Sequence, residues 1–347
     1  MSCILRQSHS KSQLDMQSLQ FHKDILRIRD VEMLVDKITG KLREDVTEKL
    51  HRFGGVIGLS GGVDSSVTMA LAARALGIEN ILGVMLPEKD SSPESLVLAT
   101  KLAEEFQVKT VVEDITGALD GFGCYERRDQ AVKEIIPEYD PVSYKMKIGI
   151  KDERPGSHLP PVFHLTVVTP DCSEITRRLP SRQMRTIIAA SNFKQRTRMS
   201  FLYYHAERLH YAVIGTANKH EIDQGFFVKY GDGGSDVYPI GRLFKEQVYQ
   251  VAEYLDIPVE IRERVPTTDT YSAEQTQEEF FYQYPFEKLD LLWYGYENHV
   301  DPAEIGSVLD MDEKEISLIY KGFQRRRETT SYLRMQSIND YDFFDNG

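Results

Sequence analysis

Apolar residues at intervals of three and four positions mark the first patterned part of the chain, from about residue 28 to residue 50. That spacing predicts an amphipathic helix. The preceding residues, 1–22, are rich in Ser and Gln and have no such period, so we predict a mobile N-terminal tail there. We predict a single domain over residues 23–335 and a C-terminal tail over 336–347.

Short apolar runs then alternate with helical patterns between residues 54 and 112. The alternation predicts strands at 54–59, 81–85 and 108–112, with helices at 64–76 and 93–106. Strand–helix–strand units at this spacing are typical of a parallel sheet with helices on both faces. The predicted fold class is therefore α/β, with a doubly wound parallel sheet.

This alternation stops near Ile115 and resumes near Arg185. The interval 116–183 contains several prolines and two short β-rich pieces, at 144–150 and 162–168, and is too long for an ordinary connection. We predict an insertion after the third strand, which is a candidate lid. A long helix to about residue 210 and a strand at 211–215 should follow. The remaining patterns predict helices at 243–255, 287–296, 302–309 and 312–326.

Composition restricts the class of protein. The 347 residues carry a formal charge of −12 and are 41% apolar, which is typical of a globular protein and excludes a disordered or collagen-like chain. Net acidity disfavours bulk binding of nucleic acid. No apolar run approaches the ~20 residues of a membrane span. Three cysteines exclude a disulfide scaffold and match no zinc site. We expect a cytoplasmic protein with neither a membrane nor a nucleic-acid partner.

The sequence SGGVDSS at residues 60–66 follows a predicted strand and begins a predicted helix. Gly61 and Gly62 allow backbone N–H groups to approach an anion, and the helix N-terminus adds partial positive charge. Asp64 is unexpected at an anion site unless it binds a divalent cation that bridges carboxylate and phosphate. The structural alternative is a helix N-cap at Asp64. The loop lacks the Gly-Lys-Ser/Thr of a Walker A motif. It resembles the pyrophosphate loop of the N-type ATP pyrophosphatases, which cleave ATP between the α and β phosphates.

Charged and glycine-rich segments follow one another between residues 191 and 245: SNFKQRTRM, VIGTANKHE, GFFVKYGDGGSD and PIGRLFK. Thr216 comes just after a predicted strand, where ligands usually bind to a parallel sheet. Glu221 is a candidate second carboxylate for the cation of Asp64. Buried charges are costly unless they are paired or bound to a ligand, so the crowded charges favour a binding site over a solvated loop. These charges are Lys229, Asp232, Asp236 and Lys245.

The motifs SGGVDS, NFKQRTRM, GTANKHE, KYGDGGSD, LFK and PTTD occur in the order found in ammonia-dependent NAD synthetases. The chain resembles that family over about 27–114 and 185–335. The resemblance implies an adenine-nucleotide α-hydrolase-like fold and a homodimer. It implies a ligase that adenylates the carboxylate of nicotinate adenine dinucleotide (deamido-NAD) with ATP, releases pyrophosphate, and then uses ammonia to form NAD and AMP.

The resemblance also assigns roles to individual residues. It implies that the ATP phosphates are bound by Gly58, Ser60, Gly61, Gly62, Asp64 and Ser65, with further ATP contacts from Thr216, Lys245 and Thr267. Mg²⁺ would be held by Asp64 and Glu221. The acceptor deamido-NAD would be contacted by Arg196, Lys229 and Asp236. Ammonia would be oriented by Asp232, so the predicted catalytic residues are Asp64, Lys245 and Asp232.

Two features concern the acceptor. The family often has a His-Lys pair in its last long helix, whereas this chain has Phe323-Gln324 followed by three arginines. We predict that Arg325 or Arg326 replaces the lost lysine. Seven basic residues without an acid lie between residues 177 and 198, and they form either a cradle for a phosphorylated acceptor or a solvated helix face. These are Arg177, Arg178, Arg182, Arg185, Lys194, Arg196 and Arg198.

Three other functions remain open from the sequence. They are a related ligase that acts on a different carboxylate in a specialised pathway, a catalytically silent nucleotide-binding protein, and a transfer-RNA-modifying pyrophosphatase. Because no candidate cysteine lies near a glycine-rich elbow, we expect no glutaminase activity. The nitrogen source would then be free ammonia or a glutaminase partner. The aromatic residues around Trp293 are expected to be core or dimer contacts.

Overall fold

The computed structural model describes residues 20–150, 162–268 and 270–339. The strands are β1 (Gly55–Gly58), β2 (Ile81–Met85), β3 (Lys109–Val112), β4 (Lys145–Ile150), β5 (Phe163–Val168), β6 (Glu174–Arg178) and β7 (Ala212–Val213). The helices are α1 (Val31–Glu44), α2 (Val63–Leu76), α3 (Pro93–Glu105), α4 (Thr116–Gly121), α5 (Cys124–Lys133), α6 (Ser181–Leu209), α7 (Lys219–Gln224), α8 (Lys245–Tyr254), α9 (Val259–Arg262), α10 (Phe286–Glu297), α11 (Pro302–Leu309), α12 (Glu313–Thr329) and α13 (Ser331–Arg334).

A parallel sheet forms the centre of the molecule, with strand order β3-β2-β1-β7. Val56 of β1 is opposite Leu82 on one side and Val213 on the other. Successive residues of a strand face opposite sides of a sheet. Accordingly, Ile57 packs with α1, α2 and α8, whereas Val56 packs with residues of α4, α5 and α6. The predicted doubly wound α/β fold is confirmed. The strand order reverses at β1, where such sheets bind ligands.

Residues 116–183 contain helices α4 and α5 and a separate antiparallel sheet of order β4-β5-β6. The two predicted β-rich pieces correspond to β4 and β5. The sequence analysis did not predict β6, whose residues EITRR lack clear alternation of apolar and polar positions. Met146 and Leu165 of this sheet are fully buried and pack with Ile187 of α6. The small sheet therefore has its own apolar core against the long helix.

Residue 21 is packed against the domain, although it lies within the predicted N-terminal tail. Phe21 is only 3% exposed, and its backbone N–H donates to Oε1 of Glu304 at 2.7 Å. It packs with the cluster around Trp293, which is fully buried. The boundary at residue 22 was thus wrong, because burial of Phe21 fixes this segment against α11. Residues 1–19 and 340–347 lie outside the described residues.

Within the described parts of the chain, no helix is both long enough and apolar enough to cross a membrane.

Candidate active site

A cavity of about 1050 Å³ lies at the carboxyl ends of β1, β2 and β7 and is also bordered by α6 and α12. This volume is at the upper end of the range for ligand pockets and can hold more than one small molecule. The cavity brings together most of the predicted site residues: Gly58, Ser60, Gly62, Asp64, Ser65, Arg196, Thr216, Glu221, Lys229, Asp232, Lys245, Thr267 and Arg325. Gly61 and Asp236 are not among the lining residues.

The predicted phosphate loop is held in a shape that only glycine permits at one position. Gly61 has φ of +72°, and a Cβ there would lie 2.5 Å from the backbone oxygen of Ser95. The hydroxyls of Ser65 and Ser66 both donate to the backbone oxygen of Gly62 at 2.9 Å. The loop thus turns sharply before α2 and presents its backbone to the cavity.

Asp64 is not the helix N-cap, because Gly62 occupies that position. Its carboxylate instead connects three elements. Oδ2 of Asp64 accepts from Nζ of the fully buried Lys245 at 2.5 Å, and Oδ1 accepts from Nδ2 of Asn218 at 3.2 Å. Burial by itself would lower the pKa of Lys245, but the charge of Asp64 reverses this and the pKa is raised. Lys245 is therefore a buried cation at the phosphate loop.

Glu221 is fixed beside this pair by the capping box of α7. The side chain of Asn218 accepts from the backbone N–H of Glu221, and Oε2 of Glu221 accepts from the backbone N–H of Asn218 at 2.9 Å. Burial, followed by the charge of Asp64, raises the pKa of Glu221 to about 8. The charge of Asp64 therefore disfavours ionisation of Glu221.

This donor set fits a magnesium ion. Carboxylate oxygens are the ligands that Mg²⁺ prefers, and Mg²⁺ usually takes one or two of them together with phosphates and water. In the described residues, no group of three or more His, Cys, Asp or Glu could hold a metal by itself. A cation between Asp64 and Glu221 would relieve their repulsion, and the bound nucleotide would supply its other ligands.

The segment 225–235 forms another wall of the cavity. Asp232 is open to the cavity on one side, yet the surrounding protein desolvates it and raises its pKa to about 6. Its carboxylate accepts from the backbone N–H of Val228 at 2.7 Å. Nζ of Lys229 donates to the backbone oxygens of Tyr332 and Met335, at 2.9 and 2.8 Å. The C-terminal turn therefore lies against Lys229, which is predicted to contact the acceptor substrate.

Asp236 has other partners. Its Oδ1 accepts from the Tyr203 hydroxyl at 2.9 Å, and its Oδ2 accepts from the backbone N–H of Val213 at 2.8 Å. These bonds join the segment after the glycine-rich loop to β7 and α6. The predicted contact of Asp236 with the acceptor stays a prediction.

The seven basic residues do not form one cradle. Arg196 and Arg198 line the cavity, whereas Lys194 is buried in ion pairs with Glu88 and Asp90. The other four are exposed and lie on β6 or near the start of α6: Arg177, Arg178, Arg182 and Arg185. A helix rises 1.5 Å per residue, so α6 separates its first turn from residue 196 by about 20 Å. The seven basic residues therefore occupy three environments: the cavity wall, a buried ion-pair cluster and the exposed surface.

Two groups of residues were missed by the sequence analysis. Asn218 joins Asp64 to Glu221, and the pattern Asn218-Lys219-His220-Glu221 resembles a capping box, which could have indicated it. Lys194 bonds Oε1 of Glu88 at 2.9 Å and the backbone oxygen of Thr270 at 2.9 Å. No local pattern predicts this second cluster, because its members are far apart in sequence.

A glycine loop after the first strand of a parallel sheet, a buried lysine and an acid pair define an enzyme of the nucleotide-binding α/β class with an adenine-nucleotide α-hydrolase-like fold. The family model for NAD synthase matches residues 34–136 and 163–331. The chain belongs to the NAD synthase family, and the prediction of a ligase is confirmed.

Relatives agree with this membership, and solved structures agree with the fold. The NH(3)-dependent NAD(+) synthetase of Rhizobium meliloti is 44% identical over 321 residues, which cover 92% of this chain and 95% of the relative. That of Methanocaldococcus jannaschii is 32% identical and covers 84% and 91%. An NH3-dependent NAD synthetase from Campylobacter jejuni, solved with a nitrate ion, superposes with a TM-score of 0.57 at 21% identity, covering 89% of this chain and 98% of that one. An NMN synthetase from Francisella tularensis gives 0.61 at 19% identity, with the same coverage. At these identities the two structures support the fold alone.

Proposed function

We propose that this protein converts deamido-NAD, ATP and ammonia into NAD, AMP and pyrophosphate. The observation that carries the proposal is the phosphate loop with the Asp64–Lys245 pair and Glu221 at the end of one large cavity. Relatives that cover most of the chain are NH(3)-dependent NAD(+) synthetases. A silent nucleotide-binding protein would have no need to retain a buried lysine and two acids together.

The first half-reaction forms an acyl-adenylate. A carboxylate oxygen of deamido-NAD attacks the α-phosphorus of ATP, and the bond to the bridging oxygen breaks with loss of pyrophosphate. Backbone N–H groups of the 60–65 loop and Nζ of Lys245 stabilise the charge that develops on the leaving group. Mg²⁺ held by Asp64 and Glu221 would neutralise part of the phosphate charge.

The second half-reaction replaces AMP with ammonia. The nitrogen lone pair attacks the acyl carbon, AMP leaves with the bonding electrons, and one proton is lost to give the neutral amide. The carboxylate of Asp232 would orient ammonia by accepting a hydrogen bond from one of its N–H groups. Water must be excluded from the adenylate, and Ile150 and Phe163 of the small sheet border the cavity. We propose that the insertion 116–183 acts as the lid.

A product assay tests the reaction and the acceptor separately. The purified protein is incubated with Mg²⁺, ATP, ammonium and either deamido-NAD or a panel of other carboxylates, and the products are identified by mass spectrometry. We expect NAD, AMP and pyrophosphate from deamido-NAD. Stoichiometric ADP would refute adenylation. Release of AMP with another carboxylate, and none with deamido-NAD, would refute only the choice of acceptor. The acceptor needs this test because Phe323-Gln324 replaces the His-Lys pair that is frequent in the family.

The nitrogen source and the assembly are part of the same proposal. We propose that the chain uses free ammonia; the alternative is ammonia supplied by a glutaminase partner. We also propose that the enzyme is a cytoplasmic homodimer. Amide formation from glutamine by the pure protein would contradict the first point. Light scattering after size-exclusion chromatography measures the mass in solution, and a monomeric mass in an active sample would contradict the dimer.

A further inference from the structure

Arg326 is a shielded cation in the wall of the cavity. Its Nη1 donates to Oε1 of Gln224 at 2.7 Å, and its guanidinium carbon lies 4.5 Å from the centroid of the Phe281 ring. It forms no ion pair with any carboxylate of the described residues. Among the described residues its side-chain hydrogen-bond partner is thus a neutral amide, whereas the buried cations Lys194 and Lys245 are paired with acids.

An unpaired cation away from bulk water is costly, and burial lowers the pKa of Arg326. The guanidinium is nevertheless charged at neutral pH. A ligand that brings an anion into the cavity would supply the missing counter-charge. The forked donors of arginine match the oxygens of a carboxylate or a phosphate.

The orientation of Arg326 is fixed by a line of buried hydrogen bonds. The Oε1 of Gln224 faces Arg326, so its Nε2 donates to Nδ1 of His220 at 3.0 Å. The proton of His220 is then on Nε2, which donates to Oδ1 of Asp290 at 2.5 Å. Oδ2 of Asp290 accepts from the backbone N–H of Glu246 at 2.8 Å. His220, Gln224 and Asp290 are all fully buried, so each link has one orientation.

We propose that Arg326 binds an oxyanion of the acceptor, either its carboxylate or a pyrophosphate oxygen, and that Asp290, His220 and Gln224 are positioning residues for the guanidinium. This inference rests on the proposed function. It also distinguishes the two arginines that the sequence left open, because Arg325 is exposed and no buried side chain of the described residues orients it. Gln224 lies on the same short helix as Glu221, so the line of bonds connects the acceptor contact to the metal end of the site.

The first test compares Arg326→Gln with Arg327→Gln, an exposed neighbour on the same helix that does not line the cavity. We expect Arg326→Gln to raise the KM for deamido-NAD at least tenfold (about 1.4 kcal/mol), with less than threefold change in the KM for ATP. Arg327→Gln should leave both constants unchanged. An unchanged acceptor KM, or an equal rise in both constants, overturns the proposal. Failure of the unaltered protein to make NAD would refute the proposed function instead.

Binding of NAD to the same variants distinguishes the two oxyanions. NAD has the pyrophosphate of deamido-NAD but an amide in place of the carboxylate. If Arg326→Gln weakens binding of deamido-NAD but not of NAD, the guanidinium binds the carboxylate. If both are weakened equally while ATP is unaffected, it binds the pyrophosphate.

The second test places an anion on Arg326 from within the chain. Gln224→Glu preserves the size of the side chain and offers a carboxylate to the guanidinium. We expect the protein to remain folded, because the guanidinium gains a charged partner that offsets the lost N–H donor to His220, while the KM for deamido-NAD rises at least tenfold. A folded Gln224→Glu protein with an unaltered KM would show that the line of bonds has a purely structural role and would overturn that part of the proposal.

Discussion

At the scale of single residues, the charges of the active site differ in how well they are neutralised. Asp64 has a lysine and an amide as partners, whereas the carboxylate of Glu221 accepts from the backbone N–H of Asn218. Burial, followed by the charge of Asp64, raises the pKa of Glu221 in spite of this bond. We propose that these two acids hold a cation that enters with the substrate.

We expect Glu221→Gln to lower kcat at least 100-fold (about 2.7 kcal/mol) at saturating Mg²⁺ and ATP. The amide keeps the shape of the side chain and can accept from Asn218, but it removes one ligand charge. Steady-state kinetics measures the loss, and Glu253→Gln, an exposed position on α8, is the control. Activity within about threefold of the unaltered enzyme would remove Glu221 from the metal site.

The same variant should change the pH dependence of stability. With its pKa raised from 4.5 to about 8, folded Glu221 keeps a proton that the unfolded chain has already lost. Its contribution to the free energy of unfolding therefore falls as pH rises through this window. Glu221→Gln should remove that fall in the ligand-free protein, as measured by urea titrations at pH 5 and pH 8. An unchanged slope would contradict the raised pKa.

Ionisation of Asp232 should determine the acidic limb of the pH profile of kcat/KM for ammonia. Its pKa of about 6 means that the carboxylate is ionised above pH 6 and protonated below it. The value of kcat/KM for ammonia, expressed per concentration of free NH₃, should therefore fall below pH 6. Asp232→Asn should lower kcat/KM at neutral pH and abolish this limb. Persistence of the limb in the variant would assign it to another group.

At the scale of elements, buried ion pairs connect parts of the chain that form the cavity wall. Lys194 of α6 bonds Glu88 and Asp90, which follow β2, and the backbone of Thr270. Arg128 of α5 also pairs with Asp90. The predicted ATP contact Thr267 lies three residues before Thr270. The cluster therefore fixes loops that line the cavity, at the end where we expect the nucleotide to bind.

We expect Lys194→Met to lower the free energy of unfolding by about 3–5 kcal/mol, because it leaves two buried carboxylates without their shared cation. Lys101→Met is the matched control, since the Lys101–Glu260 pair is exposed and should contribute little. Chemical denaturation measures both. Equal stability of the two variants would show that Arg128 alone neutralises the acids.

At the scale of the whole molecule, the cavity is lined by distant parts of the chain, from Gly58 to Leu333. Ligands that fill it would together contact the central sheet, the long helix α6 and the C-terminal helices. Binding energy is therefore expected to stabilise the fold as one unit.

A non-hydrolysable ATP analogue with Mg²⁺, at 100 times its Kd, should stabilise the folded protein by about 2.7 kcal/mol. Differential scanning calorimetry should show the unfolding transition displaced upward as one peak. Glu221→Gln should lose the part of the displacement that depends on Mg²⁺. A peak that splits on ligand addition would show that different parts of the chain unfold separately and would contradict this expectation.

Local patterns were sufficient for the central fold, and the resemblance to a known family supplied site residues most of which line the cavity. Strand β2 and helix α11 have the bounds predicted from the sequence, because hydrophobic periodicity and the Asp-Pro start of α11 are local features. SGGVDS likewise placed Gly61 where its positive φ is required. The motif order was enough to indicate the family.

Tertiary structure alone decided the contacts between residues far apart in sequence. The line from Asp290 through His220 and Gln224 to Arg326 exists only because α7, α10 and α12 pack together. The separation of the seven basic residues between 177 and 198 into different environments depended on the length of α6 and on which of its faces is buried. Burial and pairing of charges are set by neighbours from other elements, and a linear pattern contains no information about them.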